Sequence, residues 1–240
     1  MRRRFFVERF DGGSAVIRGD AAHHLGRVLR AEPGQFYELS DGAAVWLART
    51  ERVARDAVEF SLVEPLPAPQ RRLRVTLLLA IVKYDRFEWS LEKATELGAD
   101  EIVPLAAARS EKALVAAAGK RAARWEKILL EAAQQARRLR PPLLRPAARP
   151  KDAFASAGAR HAVAVLCSER PEAPGLRAVL QGRSSSSAAL AIGPEGGWTD
   201  GELLAAREAG FAEASLGANI LRTETAVVAA LAAVNYALGD

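Results

Sequence analysis

The sequence predicts an α/β protein in which a small, barrel-like β domain precedes a mostly parallel sheet flanked by helices. Three observations carry this. Short, β-rich, roughly alternating runs crowd the first third of the chain. Continuous apolar runs alternate with helical periodicities over the rest. Between them lies Pro65-Leu66-Pro67-Ala68-Pro69, expected to be stiff, extended and unpaired. The domain boundary is set there, with residues 1–70 as the barrel and 71–240 as the larger domain.

In order, strands are expected at 5–9, 15–18, 35–39, 45–50 and 58–63, with Asp41-Gly42 as a hairpin turn between the third and fourth. Asp20 is expected to cap a helix that runs to about Arg30 and ends before Pro33-Gly34. After the linker, the uninterrupted apolar run 75–82 reads as a strand covered on both faces. Phe87, Leu91, Ala94 and Leu97 recur at helical spacing, and Gly98 closes that helix. A short strand follows at 102–105. Trp125, Ile128, Leu129, Ala132, Ala133 and Ala136 then mark a long helix stopped by Pro141-Pro142. Strands at 162–167, 188–192 and 214–216 and helices near 200–209 and 224–238 complete the alternation, and Ser184–Ser187 reads as a solvated, mobile loop.

Half of the 240 residues are apolar and about a quarter charged, which excludes a disordered or fibrous chain and leaves ample length for buried cores. No window approaches the ~18–20 uncharged apolar residues of a spanning helix, and the apolar run after Arg2-Arg3-Arg4 is too short for a signal-peptide core, so the expected location is the cytoplasm. The single cysteine, Cys167, cannot form an internal disulfide. With His23, His24 and His161 it is too sparse for a metal centre, so no metal is expected. Charge is uneven along the chain. Residues 73–160 hold 17 basic against 10 acidic side chains, whereas 161–240 hold 5 against 9. A basic face suits a polyanion, although on charge alone simple solubility is an equal explanation.

Parallel sheets bind ligands at the carboxyl ends of their strands, which directs attention to two strand-to-helix loops. The first, Ile192-Gly193-Pro194-Glu195-Gly196-Gly197-Trp198, leads into Thr199-Asp200-Gly201-Glu202, a capping box. Three glycines in five residues clear side chains from the path, so the backbone can approach a ligand closely. A tight packing turn explains one or two of them but not the run. No phosphate-loop ending and no dinucleotide fingerprint is present. The second loop, Leu216-Gly217-Ala218-Asn219-Ile220-Leu221-Arg222, leads into Thr223-Glu224-Thr225-Ala226, with Thr223 the expected helix cap and Glu224 at the positive end of the helix dipole. Arg222 beside that same positive end is unfavourable locally, which points to an anionic ligand or partner rather than helix stability.

These motifs resemble the ribosomal small-subunit methyltransferase E (RsmE) family of the SPOUT class. The resemblance rests on Gly193-Pro194-Glu195-Gly196-Gly197 and on Leu216-Gly217-x-x-Ile220-Leu221-Arg222-Thr223-Glu224-Thr225-Ala226. His24-Leu25-Gly26-Arg27-Val28-Leu29-Arg30, Glu92-Lys93-Ala94-Thr95-Glu96-Leu97-Gly98 with Pro104, and the stretch from Arg124-Trp125 through Gln135, Arg138 and Pro142 extend it over nearly the whole chain. It implies a PUA-like RNA-binding β-barrel, then a SPOUT-type parallel sheet with a trefoil knot. It also implies S-adenosylmethionine (S-adenosyl-L-methionine, SAM) as methyl donor, N3 of a uridine in 16S rRNA as acceptor, and a homodimer with interfacial active sites. Whether free RNA or the assembled small subunit is the substrate stays open. One departure stands out: where relatives have Glu-Gln, a small residue and Gly-Arg, this chain carries Ala136-Arg137-Arg138.

Uridine N3 is poorly nucleophilic until its proton leaves, so the enzyme must stabilise charge developing on O2 and O4. Arg222 is assigned that catalytic role. Glu195 and Glu224 are candidates to orient it or to pass on the proton, ranked below their local structural roles. The donor seat is assigned to Leu166, Ile192, Gly193, Glu195, Gly196, Gly197, Leu216, Gly217, Ile220, Leu221 and Thr223, as main-chain partners and an apolar floor. Cys167 is read as a buried small hydrophobe, and His23 and His24 as packing or RNA-backbone contacts rather than catalytic groups. RNA phosphates are assigned to Arg3, Arg4, Arg27, Arg30, Arg137, Arg138 and Arg140. Two other readings compete: a non-catalytic RNA-binding or ribosome-assembly protein on the same fold, and a phosphate-transferring enzyme, the latter disfavoured by the lack of a lysine near the glycine loop.

Overall fold

The computed structural model describes residues 3–68 and 73–239. Two compact units separate, one formed by Met1–Gln70 with Ala133–Pro141 and the other by Arg71–Ala132 with Pro142–Asp240.

The first unit is a half-barrel. Its strands β1 (Arg4–Phe6), β2 (Ser14–Arg18), β3 (Phe36–Ser40), β4 (Val45–Val53) and β5 (Ala57–Leu66) pair in the order β1-β3-β4-β5-β2, antiparallel except for β1 with β3. Asp41-Gly42 makes the expected hairpin turn, with Gly42 at φ +91° and the Asp41 carboxylate accepting from the Ala43 and Ala44 amides. Alternation along the strands sends Phe5, Ile17, Leu39, Val58 and Phe60 inward around Leu25.

Three local expectations fail in this unit. Pro65 and Leu66 pair with Trp46 and Val45, because β2 reaches only as far as Ser61 on the other side of β5. There the missing proline N–H costs no ladder bond. Pro69 and the boundary at 70–71 lie outside the described residues. Asp20 does not cap its helix: α1 (Gly19–His23) starts after Arg18, Asp20 sits in the first turn, and the helix widens into a π-turn over His24–Val28. Arg4 is not a surface RNA contact. It is 5% exposed, its guanidinium donates to the Glu38 carboxylate at 2.9 and 3.1 Å, and it also holds the Arg137 carbonyl at 2.5 Å. With Ser40 donating to the Leu139 carbonyl at 2.7 Å, these bonds fasten the 133–141 segment to β1 and β3.

In the second unit β6 (Arg74–Ala80), β7 (Glu101–Leu105), β8 (Leu143–Leu144), β9 (Val163–Cys167), β10 (Ser187–Ile192) and β11 (Ala212–Ala214) form an all-parallel sheet in the order β11-β9-β10-β6-β7-β8. Leu77, Leu79 and Ile81 face one core and Leu78 and Ala80 the other, as a strand buried on both sides must. The first core is closed by α2 (Tyr84–Glu96), α3 (Lys112–Ala117), α4 (Ala122–Gln135), α6 (Leu176–Leu180) and α8 (Thr223–Leu238), with the Phe87 and Trp125 ring centres 4.6 Å apart and the rings tilted at 45°. The second is closed by α5 (Pro150–Gly158) and α7 (Asp200–Glu208), where Phe154 packs on Trp198 and Phe211.

The helices α3, α5 and α6 escaped the sequence reading because they are short and alanine-rich or flanked by glycine and proline. α4 ends at Gln135, well before Pro141-Pro142. Arg137 then adopts φ +52°, the left-handed conformation that favours glycine. Ser184–Ser187 is not a free loop: Ser185 bonds to both Ser187 backbone groups, and Ser186 accepts from the Arg74 amide.

Candidate active site

Because β9, β10, β6 and β11 run parallel, the bends that leave them open at one end of the sheet. A crevice lies there, lined by Cys167 at the end of β9 with Ser168 and Glu169 beyond it, by Ile192 at the end of β10 with Gly193–Glu195 and Trp198, and by Ser215–Leu221 with Thr223 and Ala226 after β11.

The glycine bend is braced on several sides. Trp198 Nε1 donates to the Cys167 carbonyl at 2.9 Å, and a Cβ at position 193 would sit 3.0 Å from the Trp198 ring, so glycine is the residue that fits there. Arg109 donates to the Gly196 carbonyl at 2.6 Å. Gly197 has φ +70°, and a Cβ on it would run into the Glu169 carboxylate. The expected capping box forms at Thr199 and Glu202, and Glu202 also accepts from the Ala108 amide at 2.8 Å. Arg86, in the first turn of α2, donates to Glu195 at 2.8 Å and lies 3.9 Å from Glu224.

The second bend differs in kind. Among the described residues, none of the backbone N–H groups of Ala218, Asn219, Ile220 and Leu221 donates within the chain, and Ile220 is 83% exposed. Such a run of free amides beside an apolar side chain provides hydrogen bonds and a surface for a flat, polar-edged ligand such as a purine. Arg222 is the N-cap of α8, exposed, with no ion pair among the described residues. Thr223 is therefore the first helical residue rather than the cap, and its hydroxyl donates to the Gly193 carbonyl at 3.1 Å.

Of the assigned donor-seat residues, Ile192, Gly193, Glu195, Leu216, Gly217, Ile220, Leu221 and Thr223 come together around the crevice. Leu166 does not. Alternation along β9 turns it to the α5–α7 side and leaves Cys167 at the crevice, and the strand period should have predicted this. Gly196 and Gly197 are also set back, against Arg109 and Glu169. Burial pushes the Cys167 thiol up to about 12, so it is no nucleophile. The sequence reading missed Arg86, Arg109, Ser168, Glu169 and Ser215. Arg86 follows β6, which lies beside β10, and Arg109 follows β7, the next strand beyond β6, so strand order was the missing signal. Among the described residues no group of three or more His, Cys, Asp or Glu is arranged to hold a metal ion, and no helix is long and apolar enough to cross a membrane.

The chain matches the RNA methyltransferase domain over residues 69–235, and an α/β RNA methyltransferase is the class that this sheet and crevice define. It is 37% identical to ribosomal RNA small subunit methyltransferase E of Synechocystis sp. over 90% of this chain and 71% of the relative. Against the Mycobacterium bovis protein of the same name the values are 35%, 96% and 90%. A crystal structure of ribosomal RNA small subunit methyltransferase E from Neisseria gonorrhoeae, bound to S-adenosyl methionine, superposes with a TM-score of 0.88 at 29% identity, covering 100% of this chain and 99% of that one. The chain belongs to the ribosomal RNA small subunit methyltransferase E family, and its sheet order agrees with the knotted SPOUT architecture.

Proposed function

We propose that this enzyme transfers a methyl group from S-adenosylmethionine to N3 of a uridine in 16S rRNA. The observation that carries the reading is the convergence of two bends with little side-chain cover on one crevice, one of them presenting four unused amides next to Arg222. Residues 71–240 act as the methyltransferase domain and 1–70 as a PUA-like RNA-binding domain.

When bound, S-adenosylmethionine supplies an electrophilic methyl group on a sulfonium. The amides of Ala218–Leu221 suit the edge of its adenine, while Ile192, Leu216 and Leu221 give the apolar seat. Arg222, free of competing carboxylates, stabilises the charge that grows on uridine O2 or O4 as the N3 proton passes to water, directly or by way of Glu195 or Glu224, and the methyl group leaves its sulfur, giving S-adenosylhomocysteine. The residues that bound the crevice align acceptor and donor, which is the larger part of the rate in a displacement between two positioned groups. Arg3, Arg27, Arg30 and Arg140 are exposed and suit phosphate contacts, with Arg138 and Arg137 beside them in sequence.

A homodimer is part of the reading. Tyr236 on α8 is 91% exposed and Ile220 83%, apolar surface of the kind a second copy covers.

The deciding experiment incubates the purified protein and isotopically labelled S-adenosylmethionine with 16S rRNA, free and within small subunits, from cells lacking this activity. Nucleosides are then read by mass spectrometry. Labelled 3-methyluridine is the expected product. No label, or label on another nucleoside, overturns the assignment, and donor-free RNA binding alone points to the non-catalytic alternative.

A further inference from the structure

We propose that Arg86 is a positioning residue for methyl transfer, a cation that clamps the glycine bend to the start of α8; this rests on the methyltransferase reading above. Its backbone is fixed. The neighbouring Phe87 is fully buried against Trp125, and the buried Ser90 hydroxyl donates to the Arg86 carbonyl at 2.8 Å. From that anchor the guanidinium reaches Glu195 on the glycine bend at 2.8 Å and faces Glu224 in the first turn of α8 at 3.9 Å.

Three elements distant in sequence thus meet at one cation. Glu195 and Glu224 bracket the residues that matter for chemistry, since Glu195 lies in the crevice wall and Glu224 is two residues from Arg222. Glu224 is held incompletely: its Oε2 is buried and has no hydrogen-bond partner. A buried carboxylate oxygen without a hydrogen bond favours a cation close by, and among the described residues Arg86 is the cation paired with Glu224 and, through Glu195, with the other bend. The pair with Glu195 is partly exposed and adds little to global stability, so its value lies in geometry. With the clamp released, the two bends drift relative to each other and the alignment of Arg222 with the donor seat is lost.

The test compares Arg86→Gln and Arg86→Lys with the unmodified full-length protein under conditions where that protein methylates 16S rRNA. Absence of activity in the unmodified protein would count against the functional reading and not against the clamp. Arg86→Gln is expected to lose about 100-fold in kcat, the scale of a misalignment near 1 Å, with KM for the RNA within about threefold. Arg86→Lys, which keeps a cation on a long stem, is expected to recover at least about tenfold of that loss. Thermal midpoints should stay close to that of the unmodified protein. The clamp is overturned by a kcat for Arg86→Gln within about threefold of the unmodified protein, by a loss confined to the RNA KM, or by a lysine variant no better than the glutamine one.

Discussion

The Thr223 hydroxyl donates to the Gly193 carbonyl at 3.1 Å, joining the first residue of α8 to the first glycine of the bend after β10. Thr223 is 4% exposed, so this bond is shielded from water and links the two walls of the crevice directly. Thr223→Val keeps the shape and removes the donor. A loss of about 0.5–1.5 kcal/mol in stability is expected, the usual net worth of one such bond, accompanied by weaker binding of S-adenosylmethionine. Chemical denaturation and calorimetry on the same preparation would check both, and unchanged donor affinity would mean that the walls hold together without it.

Gly197 and Gly217 are both outside the range that side chains favour, at φ +70° and +135°, but their surroundings differ. A Cβ on Gly197 meets the Glu169 carboxylate, whereas one on Gly217 meets nothing within 4 Å. Glu169 is exposed and its carboxylate is the end of a flexible side chain that can swing aside, so Gly197→Ala should cost about the ~1–2 kcal/mol of backbone strain at a left-handed φ, and Gly217→Ala, at a φ still less accessible to side chains, at least as much. Since Gly197 lies behind the crevice wall, its substitution is expected to weaken donor binding by moving the bend rather than by filling the site. Denaturation midpoints of the two variants test the ranking, and a clearly larger loss for Gly197→Ala would mean that Glu169 does not give way.

Arg222 has neither an ion-pair partner nor a packing role among the described residues, so its removal should leave the fold intact. Arg222→Ala is expected to keep donor affinity within about twofold and to lower kcat by at least ~10²-fold, the scale seen when one transition-state donor is removed. A variant that loses donor affinity and turnover together would move Arg222 to the donor side.

Arg4 and Glu38 form a buried pair, with side chains 6% and 10% exposed. Arg4→Met removes both hydrogen bonds to the Glu38 carboxylate and releases the Arg137 carbonyl, while the Arg137 guanidinium, 3.6 Å from Glu38, remains as a partial counter-charge, so a loss of about 3 kcal/mol is expected, the low end for broken buried pairs. Arg4→Met with Glu38→Leu should recover much of it. The salt dependence of RNA binding should change little in the double variant, since a residue this buried releases few counterions. A shallower salt slope would restore Arg4 to the phosphate contacts.

Much of the architecture was legible because it rests on period and punctuation. The both-sided burial of 75–80, the hairpin at Asp41-Gly42, the capping box at Thr199 and the two strand-to-helix bends follow from local chemistry. What depends on which strand lies beside which was not legible. Leu166 was placed by sequence proximity when side-chain alternation decides its face, and Arg86 and Arg109 reach the glycine bend only because β6 sits next to β10 and β7 next to β6. Arg4 shows the opposite failure: an arginine near the chain start looks exposed until β1 pairs with β3 and Glu38 covers it. Arg137 at φ +52° has a reason the sequence hinted at, since the chain needs a left-handed turn after α4 and this protein makes it without glycine.

His161 offers a prediction in pH. Both of its ring nitrogens are buried without a hydrogen-bond partner, and burial, aided by the neighbouring Arg160 cation, holds its pKa below the ordinary value of 6.5. Folding therefore favours the neutral ring. In the window between the folded pKa and 6.5 the unfolded chain binds more protons than the folded one, so the stability this site contributes is complete above pH 6.5 and declines as pH falls through that window. Glu101 works in the same direction at lower pH: burial pushes its carboxyl up, but hydrogen bonds from Arg160 and Arg145 outweigh that and hold it below 4.5. Replacing His161 with Leu should flatten the decline in denaturation midpoint between about pH 7.5 and 5.5 while leaving the steeper loss at lower pH in place. An unchanged slope in that variant would assign the decline to other groups.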